Sequence, residues 1–382
     1  MYDLRGYGGM LSDEGRTTAF HQAIRAAVKP GDVVLELGTA TGIMAFWAAQ
    51  AGARHVHAVE PDQSIALARQ SARDNGLADR ITFHQTVSSR LSLPERANVL
   101  IEDMRGGMPC FKTHLLDVMD ARARLLTPDA VLIGQRDTLF VTVAEAEKQS
   151  RHVHTPWDGS RWGLDLGAAQ RMAPNCYAKH RCAPEEVLAE PRAWAEIHYP
   201  TVCSPHVRGR AELAVARAGT AHGLAVWFDL ELFGGFRLSN APTEPKHTYG
   251  SGFLPWPAPT PLFAGDRVTV KMDAVFTGSD YEWNWASTVW RDGHSAPVAQ
   301  FKQSTFQGRP LSPQSLARKA AAFRPQRGDA ASIQHFLLDR MDGTATNAEL
   351  AAALRAQFPH AFPTDAAALA RVVEVVEKLA AD

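Results

Sequence analysis

The sequence lacks the features that mark secreted, disulfide-stabilised or membrane-spanning proteins. Only four of its 382 residues are cysteines, and no two of them form a CxxC pair. The chain has no basic and apolar leader, and no apolar run approaches the roughly 20 residues that a membrane-spanning helix needs. We therefore expect a soluble, cytoplasmic protein without a disulfide framework.

The chain also has no surplus of charge. Its 40 lysines and arginines nearly balance 41 aspartates and glutamates, which leaves a formal net charge of −1 at pH 7. Such a chain has no general attraction for nucleic acid or anionic lipid, so we expect neither as a partner. A length of 382 residues exceeds what one ordinary hydrophobic core organises, and this predicts at least two domains.

Helical and strand-like segments alternate over the first third of the chain. Val33–Leu37 has the pattern of a short buried strand, and helical and strand-like runs follow in turn as far as residue 133. This alternation predicts a parallel sheet with helices on its faces. We place this α/β, Rossmann-like domain at residues 1–140.

The remainder of the chain shows two other patterns. Runs rich in β-forming residues, separated by glycine and proline, predict an antiparallel β-barrel or sandwich over residues 141–310. The proline-dense stretch 254–263 is not expected to be a central strand. A polar segment follows at 309–328, and apolar stripes at helical spacing then predict a small helical domain over residues 328–382.

The strongest local signal is a strand, turn and helix around residues 33–42. Gly38 and Gly42 let a ligand approach the backbone, because glycine has no Cβ. Glu36 precedes the turn, and Glu60 ends the next strand, where a carboxylate can bind ribose hydroxyls. The turn is GxxxG, whereas a nicotinamide dinucleotide prefers GxGxxG. We therefore predict S-adenosyl-L-methionine as the ligand, with a purely structural tight turn as the alternative.

Several motifs together resemble the protein arginine methyltransferases. They are YGGMLSDEGR at residues 7–16, the glycine turn, AGA at 51–53 and AVE at 58–60. The resemblance extends over residues 2–310. It implies a Rossmann-like domain followed by a β-barrel that carries the substrate and dimerisation functions. The segment 150–183 stands where that family has a dimerisation arm, so a homodimer is implied.

The resemblance also implies roles for residues of the cofactor site. Met10 would pack on the adenine, Arg16 would pair with the methionine carboxylate, and Glu60 would bind the ribose. Ser88 and Ser89 stand where the family has a Val-Glu pair beside the adenine. The full set of predicted cofactor-binding residues is Met10, Arg16, Glu36, Gly38, Thr39, Gly42, Glu60, Pro61, Ser88, Ser89 and Glu102.

The acceptor end departs from the family pattern. Family members hold the target guanidinium with two glutamates on the loop after the fourth strand, and Glu102 matches the first of them. The second position falls near Lys112, which carries the opposite charge. An ammonium a few ångströms away repels a guanidinium by about 1 kcal/mol in water, so arginine is weakened as an acceptor. Asp103, Asp117 or His114 are candidates for the missing partner.

The predicted catalytic residues are Glu102, His247 and His114. His247 lies beside the position of a family histidine and could accept a proton, although a loop histidine in solvent is an equal alternative. Methyl transfer from a sulfonium depends mainly on alignment and on exclusion of water, and the nucleophile comes from the substrate. Glu102 is expected to orient that nucleophile.

Two other groups of residues are assigned structural roles. The histidine pairs at 152/154 and 55/57 have no third ligand at a recognisable spacing, so no metal site is expected. Four aromatic residues between 281 and 290 recur largely at period two, as in a packed β-strand, and are assigned to the core.

The sequence thus predicts an S-adenosylmethionine-dependent methyltransferase of the protein arginine methyltransferase type. Its acceptor would be a guanidino or similar nitrogen of a peptide or small metabolite. One alternative is an O- or C-methyltransferase of natural-product biosynthesis, and an alternative of another class is a non-catalytic protein that binds the cofactor or a peptide. The helical unit at the C-terminus weakly resembles part of the peptide-binding PqqD-like domains.

Overall fold

The computed structural model describes residues 3–380, apart from the side chain of Arg161. Two helices, α1 (Leu4–Leu11) and α2 (Glu14–Ala27), come first. Asp3 and Asp13 cap them, since each carboxylate accepts a backbone N–H of the first helical turn. Buried side chains recur along one face of α2, which packs against the core.

A parallel sheet and its helices follow. The strands and helices are β1 (Val33–Leu37), α3 (Ile43–Gln50), β2 (His55–Val59), α4 (Ile65–Asp74), β3 (Ile81–His84), β4 (Ala97–Glu102), α5 (His114–Asp120) and β5 (Leu126–Leu132). The strand order is β3-β2-β1-β4-β5, and every pairing is parallel. The alternation predicted from the sequence is confirmed. Helix α5 is continued by a π-helical turn, Ala121–Leu125, which leads into β5.

The second half of this unit is antiparallel, as predicted. Its strands are β6 (Gly134–Ala144), β7 (Ala178–Lys179), β8 (Arg192–His198), β9 (Val207–Ala214), β10 (Gly219–Leu232), β11 (Arg237–Ser239), β12 (Gly252–Leu262), β13 (Arg267–Phe276), β14 (Tyr281–Trp290) and β15 (Ala299–Ser304). One sheet has the order β7-β12-β10-β6-β8, with β11 beside β10, and the other has the order β15-β14-β13-β9. Helices α6 (Glu147–His154) and α7 (Gly167–Met172) lie in the connection between β6 and β7.

The proline-dense stretch does form a strand, β12. It pairs with β10 on one side, but its register with β7 on the other side covers Gly252 and Phe253 only. Within residues 3–380, the proline-containing part of β12 therefore pairs with a neighbouring strand on one side only. Such an edge position suits proline, which has no backbone N–H to donate.

The chain divides into two compact units between Arg309 and Pro310. The second unit contains α8 (Pro313–Arg318), α9 (Asp329–Leu338), α10 (Asn347–Gln357) and α11 (Asp365–Leu379). It has a hydrophobic core of its own, and a capping box of Thr346 and Glu349 begins α10. The helix α8 lies within the polar segment 309–328. The three domain ranges 1–140, 141–310 and 328–382 stay predictions. No helix in the described part of the chain has the length and apolar character to cross a membrane.

A buried ionic network ties the loop after β4 to β6. The guanidinium of Arg105 is completely buried, and its Nη2 donates to Glu102 Oε1 at 2.7 Å. Its Nε donates to Asp137 Oδ2 at 3.0 Å, and the hydroxyl of Tyr199 donates to the same carboxylate. His114 Nε2 approaches the other oxygen of Glu102 at 2.8 Å. These ion pairs join the parallel and antiparallel halves of the unit.

Replacing Arg105 by methionine should expose the role of this network. We expect the free energy of unfolding to fall by about 3–5 kcal/mol at pH 8, because Glu102 and Asp137 lose their buried cation. The folded-state pKa values of both acids then rise, so the folded variant binds more protons than the unfolded one. The difference in free energy of unfolding between the wild type and the variant should therefore shrink as the pH falls towards 5.5. Urea denaturation at the two pH values measures it.

The matched control is Arg54→Met, which removes an arginine whose ion pair with Glu95 is largely exposed to solvent. Its free energy of unfolding should hardly change, because both partners of that ion pair are exposed to solvent. A loss for Arg105→Met as small as that of the control would show that the buried network does not stabilise the fold.

Candidate active site

The carboxyl ends of three strands meet at one edge of the parallel sheet. Leu37 at the end of β1 lies beside Val59 at the end of β2 and beside Glu102 at the end of β4. The segments that follow these strands therefore converge, as expected for a ligand site in an open α/β sheet. A cleft of about 1300 Å³ opens there.

Most of the predicted cofactor residues line this cleft. They are Met10, Arg16, Glu36, Gly38, Thr39, Glu60, Pro61, Ser88 and Glu102. Gly42 and Ser89 are not among the lining residues, and Ser89 is exposed. Gly42 instead begins α3 in the left-handed conformation, and a Cβ there would come within 2.7 Å of the Phe46 ring. Its glycine is therefore required by packing.

The turn after β1 is held against β2. The N–H groups of Gly38 and Thr39 donate to Val59 O at 2.9 and 3.0 Å. Gly38 has φ +75°, and a Cβ at this position would lie 3.2 Å from Met104 Cγ. Ala40 has φ +50°, which an alanine rarely adopts, and its N–H donates to Glu60 Oε2 at 3.0 Å. Glycine at position 38 thus suits both the positive φ and the close approach of Met104, and the residue lines the cleft.

Two carboxylates at the cofactor end are held in place without a cationic partner in direct contact. Thr39 Oγ1 donates to Glu36, and burial raises the pKa of Glu36 to about 7. Glu60 accepts backbone N–H groups from Ala40 and Asp62, and burial also raises its pKa. An amino group and a pair of hydroxyls are the ligand groups that would compensate these desolvated acids.

Arg16 and Asp103 form the charged centre of the cleft. Arg16 Nε donates to Asp103 Oδ2 at 2.7 Å, and the hydroxyl of Tyr249 donates to Asp103 at 2.9 Å. All three side chains line the cleft, and Arg16 and Asp103 are largely buried. The sequence predicted Arg16 as a ligand for a carboxylate but did not predict that Asp103 pairs with it.

Glu102 faces away from this pair into the buried network. Both oxygens of Glu102 accept hydrogen bonds from Arg105, and Oε2 also contacts His114. The carboxylate is therefore already paired with a guanidinium of the same chain. Burial alone would raise the pKa of Glu102, but the charges of Arg105 and His114 lower it below its ordinary value. His114 Nδ1 faces Pro109 O at 3.0 Å, so both ring nitrogens contact oxygen atoms.

His247 lies outside the lining of this cleft. Its Nδ1 contacts Asp13 Oδ1 at 2.9 Å, and the neighbouring backbone N–H of Thr248 donates to Asp13 Oδ2 at 2.7 Å. The ring also packs over Gly15, where a Cβ would lie 2.5 Å from it. His247 thus fastens the barrel loop to the start of α2, while Thr248 and Tyr249 line the cleft.

The barrel side of the cleft is aromatic and carries a lysine. Tyr281 and Trp283, assigned to the core from the sequence, are buried but also line the cleft together with Tyr177. Alternation along a strand does not distinguish these two roles, so no sequence signal marked them. Lys112 lines the cleft as well, with φ +45°, and its N–H donates to Asp280 Oδ1 at 3.1 Å. Among residues 3–380, no cluster of three or more histidine, cysteine or acidic side chains suits a metal ion.

Comparison with known proteins connects this site to methyltransferases. Residues 15–104 match the family model of ribosomal protein L11 methyltransferase (PrmA). Protein arginine N-methyltransferase 2 of Homo sapiens is 28% identical over 278 residues, which are 68% of this chain and 64% of the relative. The arginine N(omega)-methyltransferase of Streptomyces achromogenes subsp. streptozoticus is 26% identical over 283 residues, or 70% and 75% of the two chains. The chain spans less than two thirds of the length of the human relative.

Solved structures share the fold. The PRMT1 enzyme-prozyme heterotetrameric complex of Trypanosoma brucei with AdoHcy matches with a TM-score of 0.71 at 23% identity, covering 78% of this chain and 96% of the other. Protein arginine methyltransferase 10 of Arabidopsis thaliana matches with a TM-score of 0.70 at 21% identity, covering 79% and 97%. Sequence and fold therefore confirm the predicted resemblance: this chain is similar to the protein arginine methyltransferases and shares their fold.

Proposed function

We propose that this chain transfers a methyl group from S-adenosylmethionine to a guanidino or similar nitrogen of a peptide or small metabolite. The observation that carries the proposal is the convergence at one sheet edge of the Gly38 turn, two desolvated acids and a buried arginine. The relatives named arginine methyltransferases support the same acceptor class.

The cofactor end fits each part of this donor. Glu36 is suited to the amino group of the methionine portion, Arg16 to its carboxylate and Glu60 to the ribose hydroxyls. Met10 and Ser88 line the same cleft and would flank the adenine. When bound, the donor supplies a methyl group on a sulfonium whose leaving group is neutral. The protein's part is therefore to align the acceptor and exclude water.

We propose Asp103 as the carboxylate that faces the acceptor. The sequence favoured Glu102 for this role, and both acids line the cleft with hydrogen-bonded oxygens. The cation that holds Glu102, Arg105, is completely buried, whereas the partners of Asp103, Arg16 and Tyr249, line the cleft themselves. Asp103 lines the cleft and is oriented by Arg16 and Tyr249, which fixes its carboxylate at the boundary between the two ends of the cleft. One acid would then hold the acceptor cation.

Lys112 supports a second candidate function. Lys112 stands in the sequence near the position expected for a second acid and lines the cleft, and its ammonium lies 5.2 Å from the centre of the Phe111 ring. No salt bridge of this ammonium is found within the described residues. A neutral oxygen or carbon nucleophile would not be repelled by it, as in an O- or C-methyltransferase. A non-catalytic binding protein is the remaining alternative, and it would bind the donor without any turnover.

We further propose a cytoplasmic homodimer. The connection between β6 and β7 leaves apolar side chains exposed, among them Trp157 at 43% and Leu164 at 61%. A second copy of the chain could cover such an apolar surface. This connection is the segment that resembles the family's dimerisation arm.

The affinity for the donor should depend on pH through Glu36. With a pKa of about 7 in the empty site, the carboxyl must lose its proton to pair with an amino group, so binding releases a proton. The Kd should therefore fall as the pH rises from 5.5 to 7, by up to about tenfold per unit. Calorimetric titration with S-adenosylhomocysteine measures this slope.

The Glu36→Gln variant should lose most of the pH dependence of the Kd. Glu95→Gln removes an exposed carboxylate and should keep this pH dependence. A wild-type Kd that stays constant over this pH range would contradict the assigned role of Glu36.

Transfer of labelled methyl groups tests the function as a whole. Methyl-labelled S-adenosylmethionine is incubated with the protein and with free L-arginine, arginine-containing peptides or a cell extract. We expect label in at least one guanidino acceptor. Label in extract components but in no guanidine would support the oxygen or carbon acceptor. Donor binding with no label transferred to anything would support the non-catalytic alternative.

The two neighbouring acids should respond differently to amide substitution. Asp103→Asn should lower kcat/KM for a guanidino acceptor by about 10- to 100-fold, because it removes a charged hydrogen bond to the cation. Asp103→Asn and Glu102→Gln should both lower the melting temperature, because each removes the acid of a largely buried ion pair. In assays run well below both melting temperatures, only Asp103→Asn should lower kcat/KM. Unchanged kinetics for Asp103→Asn, with a loss confined to Glu102→Gln, would return the role to Glu102.

A further inference from the structure

The barrel contributes an acid to the wall of the cleft. Among the described residues after β5 that line the cleft, Asp280 is the one acidic residue. It is exposed to solvent, so a molecule in the cleft can reach its carboxylate. Within residues 3–380 this carboxylate has no cationic partner, whereas Asp103 is paired with Arg16. Asp280 is therefore the acid of the acceptor end whose charge is not met by an ion pair.

The turn between β13 and β14 fixes the position of Asp280. The N–H and the hydroxyl of Thr277 donate to the backbone oxygen of Asp280 at 2.9 and 3.0 Å. Phe276 and Tyr281, at the two ends of the turn, form the last pair of the β13–β14 ladder. Because these contacts close the turn, Asp280 is held at one place on the cleft wall.

The two oxygens of this carboxylate differ in their contacts. Oδ1 accepts the backbone N–H groups of Lys112 and Tyr281 at 3.1 and 2.9 Å. No hydrogen bond to Oδ2 is found in the described part of the chain. Two bonds to Oδ1 restrict the rotation of the carboxylate, and a carboxylate oxygen has two lone pairs that can accept hydrogen bonds. Oδ2 is therefore available to a donor in the cleft.

The backbone of Lys112 is strained where it meets Asp280. Its φ of +45° is one that a lysine rarely adopts, and such strain persists where the surrounding structure enforces it, often at ligand sites. The contact joins the loop after β4 to a barrel residue 168 positions later. The ammonium of Lys112 lies over the Phe111 ring and forms no salt bridge with Asp280. Lys112 thus meets the carboxylate with its N–H and not with its charged group.

A cation with several N–H donors is the kind of group that suits this carboxylate. A guanidinium is planar and carries five N–H donors in fixed directions, so it can donate to carboxylates on two walls of a cleft at once. A hydrogen bond between charged partners is roughly twice as strong as a neutral one. A neutral hydroxyl or carbon acceptor would gain much less from Asp280.

We propose that Asp280 binds N–H groups of a guanidinium acceptor, so that the barrel supplies a carboxylate in addition to Asp103. Lys112 contributes to this subsite through its backbone N–H, which directs the carboxylate of Asp280. The inference rests on the proposed methyltransferase function. It specifies which residue lets the cleft prefer a guanidinium to a neutral acceptor despite the charge of Lys112.

Asp280→Asn tests the charge of this side chain without changing its shape. The KM for L-arginine or an arginine peptide, whichever the wild type methylates, should rise by about 10- to 100-fold, because a charged hydrogen bond to the cation is lost. The amide oxygen can still accept the N–H groups of Lys112 and Tyr281, so the melting temperature should hardly change. The Kd for S-adenosylhomocysteine should stay within about twofold. Raising NaCl from about 0.05 to about 0.5 M should increase the KM of the wild type more than that of the variant.

Asp292→Asn is the matched control, because Asp292 is exposed in the connection between β14 and β15 and does not line the cleft. Its KM should not change. A wild-type KM in Asp280→Asn would overturn the subsite, and so would a loss of affinity for S-adenosylhomocysteine as large as the rise in KM. Label transferred only to non-guanidino components of an extract would overturn the subsite and leave the methyltransferase function intact. Label transferred to nothing would reject the proposed function itself.

Discussion

The buried guanidinium of Arg105 is the constraint on which the site depends. It has no exposed surface, so its charge must be met by acids of the chain itself, and Glu102 and Asp137 meet it. Glu102 and Asp103 both line the cleft, but both oxygens of Glu102 contact Arg105 or His114, whereas Asp103 is bonded to Arg16 and Tyr249. The ion pairs of Arg105 also join β4 to β6.

The two ends of the cleft carry different electrostatic properties. At the cofactor end, Glu36 and Glu60 are acids whose pKa values are raised by burial. At the acceptor end, one acid is already paired with Arg16, a lysine lines the wall, and the tyrosines are neutral. The first end is suited to a zwitterionic nucleoside. The second relies on hydrogen bonding and aromatic contact more than on net charge.

Most of the residues predicted for the cofactor line the cleft, because that end of the cleft is encoded locally. A strand, a turn and a helix are encoded in one contiguous segment, and parallel pairing then brings Glu60 to the same edge as Gly38. The choice between Glu102 and Asp103 depends on Arg105 meeting Asp137, 32 residues away. No local pattern contains that contact.

Long-range contacts explain the other differences as well. His247 was expected to serve the reaction, but it pairs with Asp13, 234 residues earlier in the chain. Tyr281 and Trp283 have the pattern of core residues and are buried, yet they also form a wall of the cleft. These residues are both buried and part of the cleft wall. An alternating pattern along a strand indicates burial, but it does not indicate which buried residues border a cleft.

The most direct measurement of the central claim is a crystal structure of the chain grown with saturating S-adenosylhomocysteine. The account predicts one nucleoside in the cleft, with its ribose hydroxyls on Glu60, its amino group towards Glu36 and its carboxylate on Arg16. A well-ordered structure with this cleft empty, or with the nucleoside bound elsewhere, would contradict it.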